Sequence, residues 1–480
     1  GMNGKRRNDM KGLFSRRNAW MLAAVLVILG VGCAFGLSRG QKTMLAKLPA
    51  MRQNAERDSL LITAQATEDM RTLKGNMQLT TTNRTGGELT ELVFRLYANG
   101  VREGSMVISE MTIDGKETSF AQDADDPSVL RVPYALKSGD TVDIAFRFAL
   151  TVPRGESEIA RTDDSELLIG ALPMPAMWEN GAWRTDAYDA LAETSYAQPV
   201  DIRMALTVPE KVKAAFGGAW TAEQQNGDGT KTLTMQLEGA RDISLAMRAG
   251  GSMRQAMSGD ILVTALAENS RTAARLLEAA CKALEAVESV GLAYPFPSLT
   301  VVQAQSGHED GTIGTALLAV DGTKKGDALL QQLTRLCARQ IFGVQVENDP
   351  WNAPWLSQTL ASCVELLAYR GREGDAAYEK RFYSEVEIAM RLTRPHGVNV
   401  GASTEHFGDD SEMTQVLRDQ GAASLMGIDT AVGGEAFIRA LQIYADENAG
   451  GTGSLEKLES ALEQATGSAW DGYLSDMLAF

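Results

Sequence analysis

The sequence predicts an α+β protein in which strands come first along the chain and helices follow. Residues 141–148 alternate apolar and polar side chains, which is typical of a strand with one buried face. Asp114-Gly115 and Gly227-Asp228-Gly229 are turn signals between strand-like runs. Beyond Gly251 the apolar residues adopt helical spacing instead. Strands followed by helices, rather than alternating with them, indicate the α+β class.

The helical half begins with a long amphipathic segment at residues 269–290. Ser270 is its predicted N-cap and Gly291 its predicted stop. One apolar stripe runs along it, made of Ala273, Leu276, Leu277, Ala280, Leu284 and Val287. Further along, the sequence predicts strands at residues 298–303 and 315–320, and helices at residues 328–342, 356–369, 376–392, 434–445 and 454–478.

The N-terminal segment has the pattern of a membrane anchor. Residues 19–37 carry no charge, close to the about 20 residues that span a bilayer. The preceding segment is basic, so the positive-inside rule places the N-terminus in the cytoplasm. We therefore expect a basic tail at 1–17, a transmembrane signal anchor at 18–38 and a stalk at 39–58. Two alternatives remain open: a signal peptide cleaved near residues 34–36, or a lipid anchor at Cys33.

The composition of the chain argues against several classes of function. The 480 residues are enough for two or three domains, and the formal net charge is −16. Because the N-terminal tail is basic, the rest of the chain is more acidic still, which argues against nucleic-acid partners. Cys33 lies in the apolar run and leaves an odd number of cysteines elsewhere, so no disulfide framework is implied. No two of His308, His396 and His406 have the spacing of helical metal ligands.

The most informative motif is RLCARQIFG at residues 335–343, followed by WLSQ at residues 355–358. Its frame resembles the zinc-site signature HExxHxWFG, then WLNE, of the gluzincin aminopeptidases, the group that contains aminopeptidase N and leukotriene-A hydrolase. Eighteen residues separate Arg339 from Gln358, which is that family's spacing. The resemblance matches Arg335 and Arg339 to the two histidine ligands, Leu336 to the general-base glutamate and Gln358 to the third ligand.

A second resemblance lies in the strand-rich half. Residues 91–99, ELVFRLYAN, look like the strand-turn-strand ending in LYxN of the family's N-terminal β domain. Residues 171–178 resemble the WYP loop of its bacterial members, without the aromatic pair. The resemblance thus implies an antiparallel β-sandwich or saddle domain at 59–250. A thermolysin-like, mainly helical, degenerate peptidase domain follows at 251–480, and one transmembrane helix precedes both.

The residues at the four signature positions are unsuited to the family's chemistry. Zinc takes lone pairs from imidazole, thiolate or carboxylate, whereas an arginine stays protonated and repels a dication. Leu336 cannot take a proton from water, and Gln358 keeps an oxygen without a charge. We therefore expect no metal, no other cofactor and no zinc-dependent hydrolysis. A plain alternative is an amphipathic helix whose two arginines face solvent.

The resemblance also implies which residues surround this position. Glu309, within SGHED at residues 306–310, matches the glutamate that binds the substrate amine in the family's GxMEN loop, and His308 and Asp310 replace its Met and Asn. Arg418 stands where the family has an oxyanion-stabilising tyrosine. Glu365 lies where the family has another glutamate. The predicted pocket therefore comprises Glu309, Asp310, Arg335, Arg339, Glu365 and Arg418.

Two interpretations of this pocket remain open. The arginines and carboxylates pair with each other and replace the metal as a crosslink, since buried charges must be paired. Alternatively, unpaired guanidinium groups bind an anion such as a peptide carboxylate or a phosphate.

The sequence favours a membrane-anchored, extracytoplasmic pseudopeptidase that binds a peptide or an envelope membrane protein. An alternative is an active aminopeptidase or hydrolase with a mechanism different from that of the family. A third hypothesis is a structural ectodomain of an envelope complex. The expected location is the cell membrane, crossed once, or the exterior if the signal is cleaved.

Overall fold

A computed structural model describes residues 56–388, 391, 397–470 and 472–479. The predicted tail at 1–17, the anchor at 18–38 and nearly all of the predicted stalk lie outside these residues. In the described part of the chain, no helix is both long and apolar enough to cross a bilayer.

The first half of the chain is built from strands, which confirms that part of the α+β prediction. The strands up to residue 249 are β1 Asp58–Ala66, β2 Thr72–Thr82, β3 Leu89–Arg95, β4 Met106–Ile113, β5 Lys116–Glu117, β6 Ala121–Gln122, β7 Val129–Leu136, β8 Thr141–Thr151, β9 Ile159–Arg161, β10 Ser165–Ile169, β11 Met174–Pro175, β12 Trp178–Glu179, β13 Ala182–Trp183, β14 Val200–Pro209, β15 Val212–Phe216, β16 Ala219–Gln225, β17 Thr230–Ala240 and β18 Ser244–Ala249.

These strands form one large sheet and several small ones. The large sheet has eight strands in the order β16-β17-β14-β1-β2-β8-β4-β5. The prediction of an antiparallel domain needs one correction, because β1 and β14 pair in parallel. The small sheets have the orders β15-β18-β10-β9, β11-β3-β7-β6 and β12-β13. Apolar side chains of β1, β2, β8 and β14 are buried between the layers, as alternation predicts.

A five-stranded sheet starts the second half. Its strands are β19 Ser252–Ser258, β20 Ile261–Ala267, β21 Ser298–Gln303, β22 Thr312–Gly314 and β23 Leu317–Val320, in the order β19-β20-β21-β23-β22. The predicted strand at 298–303 is confirmed. The strand predicted at 315–320 is confirmed as β23 over residues 317–320, but its first two residues form a turn in which Ala316 has a φ of 56°. This turn joins β23 to its antiparallel partner β22, which the sequence did not predict.

Helices make up most of the remainder. They are α1 Tyr97–Val101 within the strand-rich half, then α2 Ser270–Ser289, α3 Gly326–Arg339, α4 Trp355–Glu373, α5 Asp375–Arg381, α6 Asp410–Thr414, α7 Gly421–Val432, α8 Gly434–Glu447, α9 Leu455–Thr466 and α10 Tyr473–Leu478. A short 3₁₀ turn covers Thr404–His406. In α2 the predicted stripe is buried except Leu277, which is only partly buried. Its N-cap is Asn269 rather than Ser270, because the Asn269 side chain accepts from the Thr272 N–H at 2.9 Å.

Among the described residues, three π-helical segments interrupt the helices. They are π1 Gln340–Gln345, π2 Phe382–Glu387 and π3 Gln415–Gln420. The helix predicted at 328–342 is therefore α-helical only as far as Arg339. The helix predicted at 376–392 is α5 followed by π2, and its end lies outside the described residues. The helix predicted at 454–478 is two helices, because Gly467 ends α9 in the left-handed region with a φ of 69°.

Arg241 lies between the strand-rich half and the helices. It is 1% exposed, and its Nη1 donates to the Ala197 carbonyl at 2.8 Å. Its Nε donates to the Val344 carbonyl and its Nη2 to the Gly451 carbonyl, each at 3.1 Å. The carboxylate of Glu347, 2% exposed, lies 3.3 Å from Nε. One side chain therefore joins the strand-rich half to two segments of the helical half.

Candidate functional site

The residues at the signature positions lie on two packed helices and face one cavity. Arg335 and Arg339 are four residues apart near the C-terminal end of α3, so they lie on one helix face. Gln358 lies in the first turn of α4, which packs against α3. All three line a small cavity of about 30 Å³ that is partly open to solvent, and Arg418 of π3 also lines it. Solvent-facing arginines are thus excluded: Arg335 and Arg339 are each 8% exposed.

Arg335 is paired with Asp310. Its Nε donates to Oδ2 at 2.7 Å and its Nη2 donates to Oδ1 at 2.6 Å, which is the bidentate geometry that suits a guanidinium and a carboxylate. Burial alone would raise the pKa of Asp310, but Arg335, helped by Arg418 and Lys324, lowers it to about 2. The carboxyl group is therefore ionised at neutral pH and holds α3 against the turn before β22.

Arg339 has a different partner. Its Nη2 donates to Oε1 of Glu193, which comes from the strand-rich half of the chain. Its Nε is buried and has no hydrogen-bond partner among the described residues. Burial lowers the pKa of Arg339 to about 10, and the carboxyl groups of Asp410 and Glu158 oppose this effect. The guanidinium therefore remains charged at neutral pH, with fewer contacts than Arg335 makes.

Arg418 is paired with its neighbour in the chain. Its Nε and Nη2 donate to the carboxylate of Asp419 at 2.9 and 3.2 Å. Its Nη1 lies 3.8 Å from Asp310 Oδ1, and the ammonium of Lys324 lies 3.2 Å from the same oxygen. Burial lowers the pKa of Arg418, but the contact with Asp419 outweighs burial and the net direction is upward.

Glu365 belongs to a second layer behind the cavity. Both of its carboxylate oxygens accept from Arg381, each at 2.8 Å, and Arg335 Nη1 lies 3.7 Å away. Glu365 is 4% exposed and does not line the cavity. Leu336 is completely buried and packs into the core, so it does not line the cavity either.

The side chain of Glu309, which the resemblance matches to an amine-binding glutamate, does not point into the cavity. Glu309 is exposed, and its side chain does not line the cavity. Only its backbone N–H contributes, donating to Asp410 Oδ2 at 2.6 Å. The side chains of its two neighbours, His308 and Asp310, line the cavity instead. His308 Nδ1 lies 2.7 Å from Asp410 Oδ1. Burial lowers the pKa of His308, but the hydrogen bond with Asp410 outweighs burial and raises it overall.

The three π-helical segments are associated with the arginines of this region. π1 begins directly after Arg339, π2 begins directly after Arg381, and π3 contains Arg418. Such segments often occur at functional sites, because the extra residue per turn re-aims side chains. In π1 the side chain of Gln340 donates to the Gly314 carbonyl at 2.9 Å and accepts from the Ala316 N–H at 2.8 Å. It thereby fixes the end of α3 to the β22–β23 turn.

The sequence missed several members of this cluster. Glu193, Asp410, Asp419 and Arg381 all make ion pairs there, and the sequence assigned none of them a role. Glu193 is 146 residues away from Arg339 along the chain, in a stretch without strand or helix periodicity. Two of them are near residues that the motifs had singled out. Asp419 directly follows Arg418, and Arg381 lies sixteen residues after Glu365.

Taken together, the contacts support the internally paired interpretation more than the open anion site. Every arginine of the cluster contacts a carboxylate, although the partners of Arg335 and Arg339 are Asp310 and Glu193 rather than Glu309. Pairing of this kind satisfies the rule that buried charges need counter-charges. Arg339 differs, because one of its donors remains unused.

Comparison with known proteins shows a clear likeness of fold. No family model matches the chain, and no curated protein sequence does. Among solved structures, the chain is similar to the M1 zinc metallopeptidase from Deinococcus radiodurans, with a TM-score of 0.62 and 20% identity, covering 88% of this chain and 93% of that chain. A variant of the same enzyme with a glutamate replaced by alanine gives a TM-score of 0.60 and 19% identity over the same shares. The chain therefore has the α+β fold of an M1 peptidase, with a sheet-rich N-terminal part and a helical C-terminal part.

The cavity residues do not fit the zinc ion named for these similar structures. Arg335 and Arg339 offer no lone pair and bring two positive charges, and Arg335 already holds Asp310 with two hydrogen bonds. Within residues 56–388 and the other described parts, no three His, Cys, Asp or Glu side chains are grouped so that they could hold a metal.

Proposed function

We propose that this protein is a pseudopeptidase: a chain with the M1 peptidase fold that binds a peptide or protein and does not hydrolyse it through zinc. The observation that carries the proposal is the bidentate ion pair of Arg335 with Asp310, at the position that the motif matches to the first zinc ligand. An ion pair in that position occupies the space and supplies the crosslink that a metal gives elsewhere.

The location of the protein is part of this proposal. The uncharged residues 19–37 after a basic tail support a single anchor that leaves the folded part outside the cytoplasm. An envelope membrane protein is then a reasonable partner, and the acidic body disfavours nucleic acid. Protease added to intact cells should digest the folded part only if it is extracytoplasmic.

The first test is the zinc content of the purified protein. After incubation with zinc and desalting, plasma mass spectrometry should find less than about a tenth of an equivalent. The same preparation should not release 4-nitroaniline from a panel of aminoacyl-4-nitroanilides. About one equivalent of zinc that chelators remove, together with chelator-sensitive hydrolysis, would refute the proposal.

A second candidate is a hydrolase that uses His308 as its base. The observation that favours it is the contact of His308 with Asp410 at the cavity wall, an arrangement that orients an imidazole for proton transfer. This candidate requires hydrolysis that chelators do not affect and that His308→Gln abolishes. Glu309→Gln serves as its control, because that side chain is exposed and outside the cavity.

A further inference from the structure

Arg339 is bound less completely than the other arginines of the cluster. Arg335, Arg381 and Arg418 each make two hydrogen bonds to one carboxylate. Arg339 donates to Glu193 through Nη2 alone, and its Nε, on the same edge of the guanidinium, is buried without a partner. A carboxylate held by that edge would normally accept from both nitrogens. Arg339 therefore retains half of a bidentate carboxylate site.

Glu193 comes from a part of the chain that is not tied into regular structure. Residues 184–199 contain no strand and no helix, and both Leu191 and Glu193 of this segment line the cavity. The carboxylate of Glu193 thus lies on Arg339 as a ligand carboxylate would, but it belongs to the protein itself. A contact made through one hydrogen bond is weaker than the bidentate pairs nearby, so it is the easiest of them to displace.

The surrounding wall offers further uncharged donors. Gln358 and Thr414, which are neutral, both line the cavity. The cavity itself has about 30 Å³ of free space, room for about two water molecules, so only the end of a ligand can enter it. The cavity wall therefore combines one incompletely paired cation and neutral polar groups with the paired charges of Asp310, Arg335, Asp410 and Arg418.

We propose that Arg339 binds the carboxylate of a ligand, such as the C-terminal carboxylate of a peptide, and that Glu193 holds this position when no ligand is present. The ligand carboxylate replaces Glu193 and uses both Nε and Nη2. Because Glu193 competes for the same guanidinium, only molecules in which the Arg339–Glu193 contact is broken can bind the ligand. The apparent affinity for the ligand falls in proportion to that fraction. This inference rests on the proposed function, since it requires a cavity that binds.

The test is calorimetric titration of the full-length protein with N-acetyl-alanyl-alanine, with the same peptide as its C-terminal amide for comparison. Glu193→Gln keeps the shape of the side chain and removes its charge, and we expect it to raise the affinity for the free acid about tenfold. Arg339→Lys, which loses Nε, should abolish binding. Glu210→Gln, a change at an exposed carboxylate of the same half, should bind like the unmodified protein. Thermal unfolding checks that each variant is folded.

Each outcome has a defined meaning. Binding of the free acid but not the amide, strengthened in Glu193→Gln, supports the proposal even if the unmodified protein binds weakly. Acetate titrated in parallel distinguishes a bare carboxylate from a peptide end. No gain in Glu193→Gln, equal binding of the amide, or tighter binding of inorganic phosphate would overturn it. Zinc content and hydrolysis are separate readouts, so absence of binding in a zinc-free, inactive protein would refute this inference alone.

Discussion

Arg335 and Asp310 face each other with two hydrogen bonds, 2.7 Å from Nε to Oδ2 and 2.6 Å from Nη2 to Oδ1. The pair joins the last turns of α3 to the turn that precedes β22, and both side chains are largely buried. A buried charge pair stabilises a fold weakly compared with apolar packing, but removing one partner is costly, since it leaves the other charge uncompensated.

The first prediction is that Arg335→Met destabilises the protein. Asp310 would retain only Lys324 at 3.2 Å and Arg418 at 3.8 Å, neither of which can replace a bidentate contact. We expect the free energy of unfolding to fall by about 3 kcal/mol, measured by urea denaturation. The double variant Arg335→Met with Asp310→Leu should recover part of that loss, because no unpaired carboxylate remains.

Lys282→Met is the matched control for this experiment. Lys282 and Glu278 form an exposed pair on α2 at 2.7 Å, and solvent screens such pairs. The control should leave the unfolding transition unchanged. A loss in Arg335→Met no larger than in this control would contradict a structural role for the Arg335 pair.

The second prediction concerns Arg241, where shape is expected to matter more than charge. Three of its nitrogens donate to the carbonyls of Ala197, Val344 and Gly451, which the single ammonium of a lysine cannot reproduce. We therefore expect Arg241→Lys and Arg241→Met to lose similar amounts, about 3 to 5 kcal/mol in urea denaturation. Arg254→Lys on the exposed strand β19 should have no effect. Rescue by Arg241→Lys would show that only the charge matters there.

The third prediction is a pH dependence at Glu166. This residue is 4% exposed, and neither carboxylate oxygen has a hydrogen-bond partner among the described residues. Burial raises its pKa to about 8, and Arg161, opposite it in the β9–β10 pairing, lowers it less than burial raises it. Below pH 4.5, the ordinary pKa, the group is protonated in both the folded and the unfolded chain. Between that pH and about 8 only the folded chain keeps the proton, so stability falls as pH rises.

Glu166→Gln replaces the titrating carboxyl group with a neutral amide, so the fall in stability with rising pH should disappear. The variant should match the unmodified protein at low pH and exceed it by about 5 kcal/mol at alkaline pH, since the pKa rises from 4.5 to about 8 and one pKa unit corresponds to about 1.4 kcal/mol. Denaturation curves at acidic, neutral and alkaline pH test this, with the exposed Glu210→Gln as control. A difference between variant and parent that does not change with pH would contradict it.

Local patterns could be predicted from the sequence, whereas distant partners could not. The stripe of α2 and the strand at 298–303 follow from periodicity within one segment, and the structure confirms both. The shared face of Arg335 and Arg339 follows from their spacing on one helix. Glu193 could not be predicted, because only the fold brings the 184–199 segment to α3.

The sequence misplaced the Glu309 side chain and the end of the helix predicted at 328–342, and each error has a local structural cause. Glu309 and Asp310 are neighbours in a tight turn, so a one-residue difference decides which side chain enters the cavity, and it is Asp310. The helix after Arg339 continues as π1, which keeps helical periodicity approximately but shifts every later side chain. Neither effect leaves a signal in the pattern of apolar residues.

The fourth prediction is that zinc binding can be introduced by four substitutions. Arg335, Arg339 and Gln358 line one cavity from two packed helices, so side chains at these positions converge. The variant with Arg335→His, Leu336→Glu, Arg339→His and Gln358→Glu supplies three ligands at one site. Leu336 lies in the core beside the cavity, so its substitution completes the family motif without adding a ligand. The fourfold variant also removes both guanidinium groups of α3, which frees Asp310 and Glu193 to favour a dication. Arg418 remains at the cavity wall, paired with Asp419. We expect close to one equivalent of zinc by mass spectrometry and a rise in melting temperature when zinc is added. The matched control keeps Arg335 and carries the other three changes. Because one guanidinium of α3 still faces the site and one ligand is missing, it should bind far less zinc. Equal zinc in both variants would mean that the metal binds elsewhere, and a folded fourfold variant without zinc would mean that the cavity does not bring these positions together.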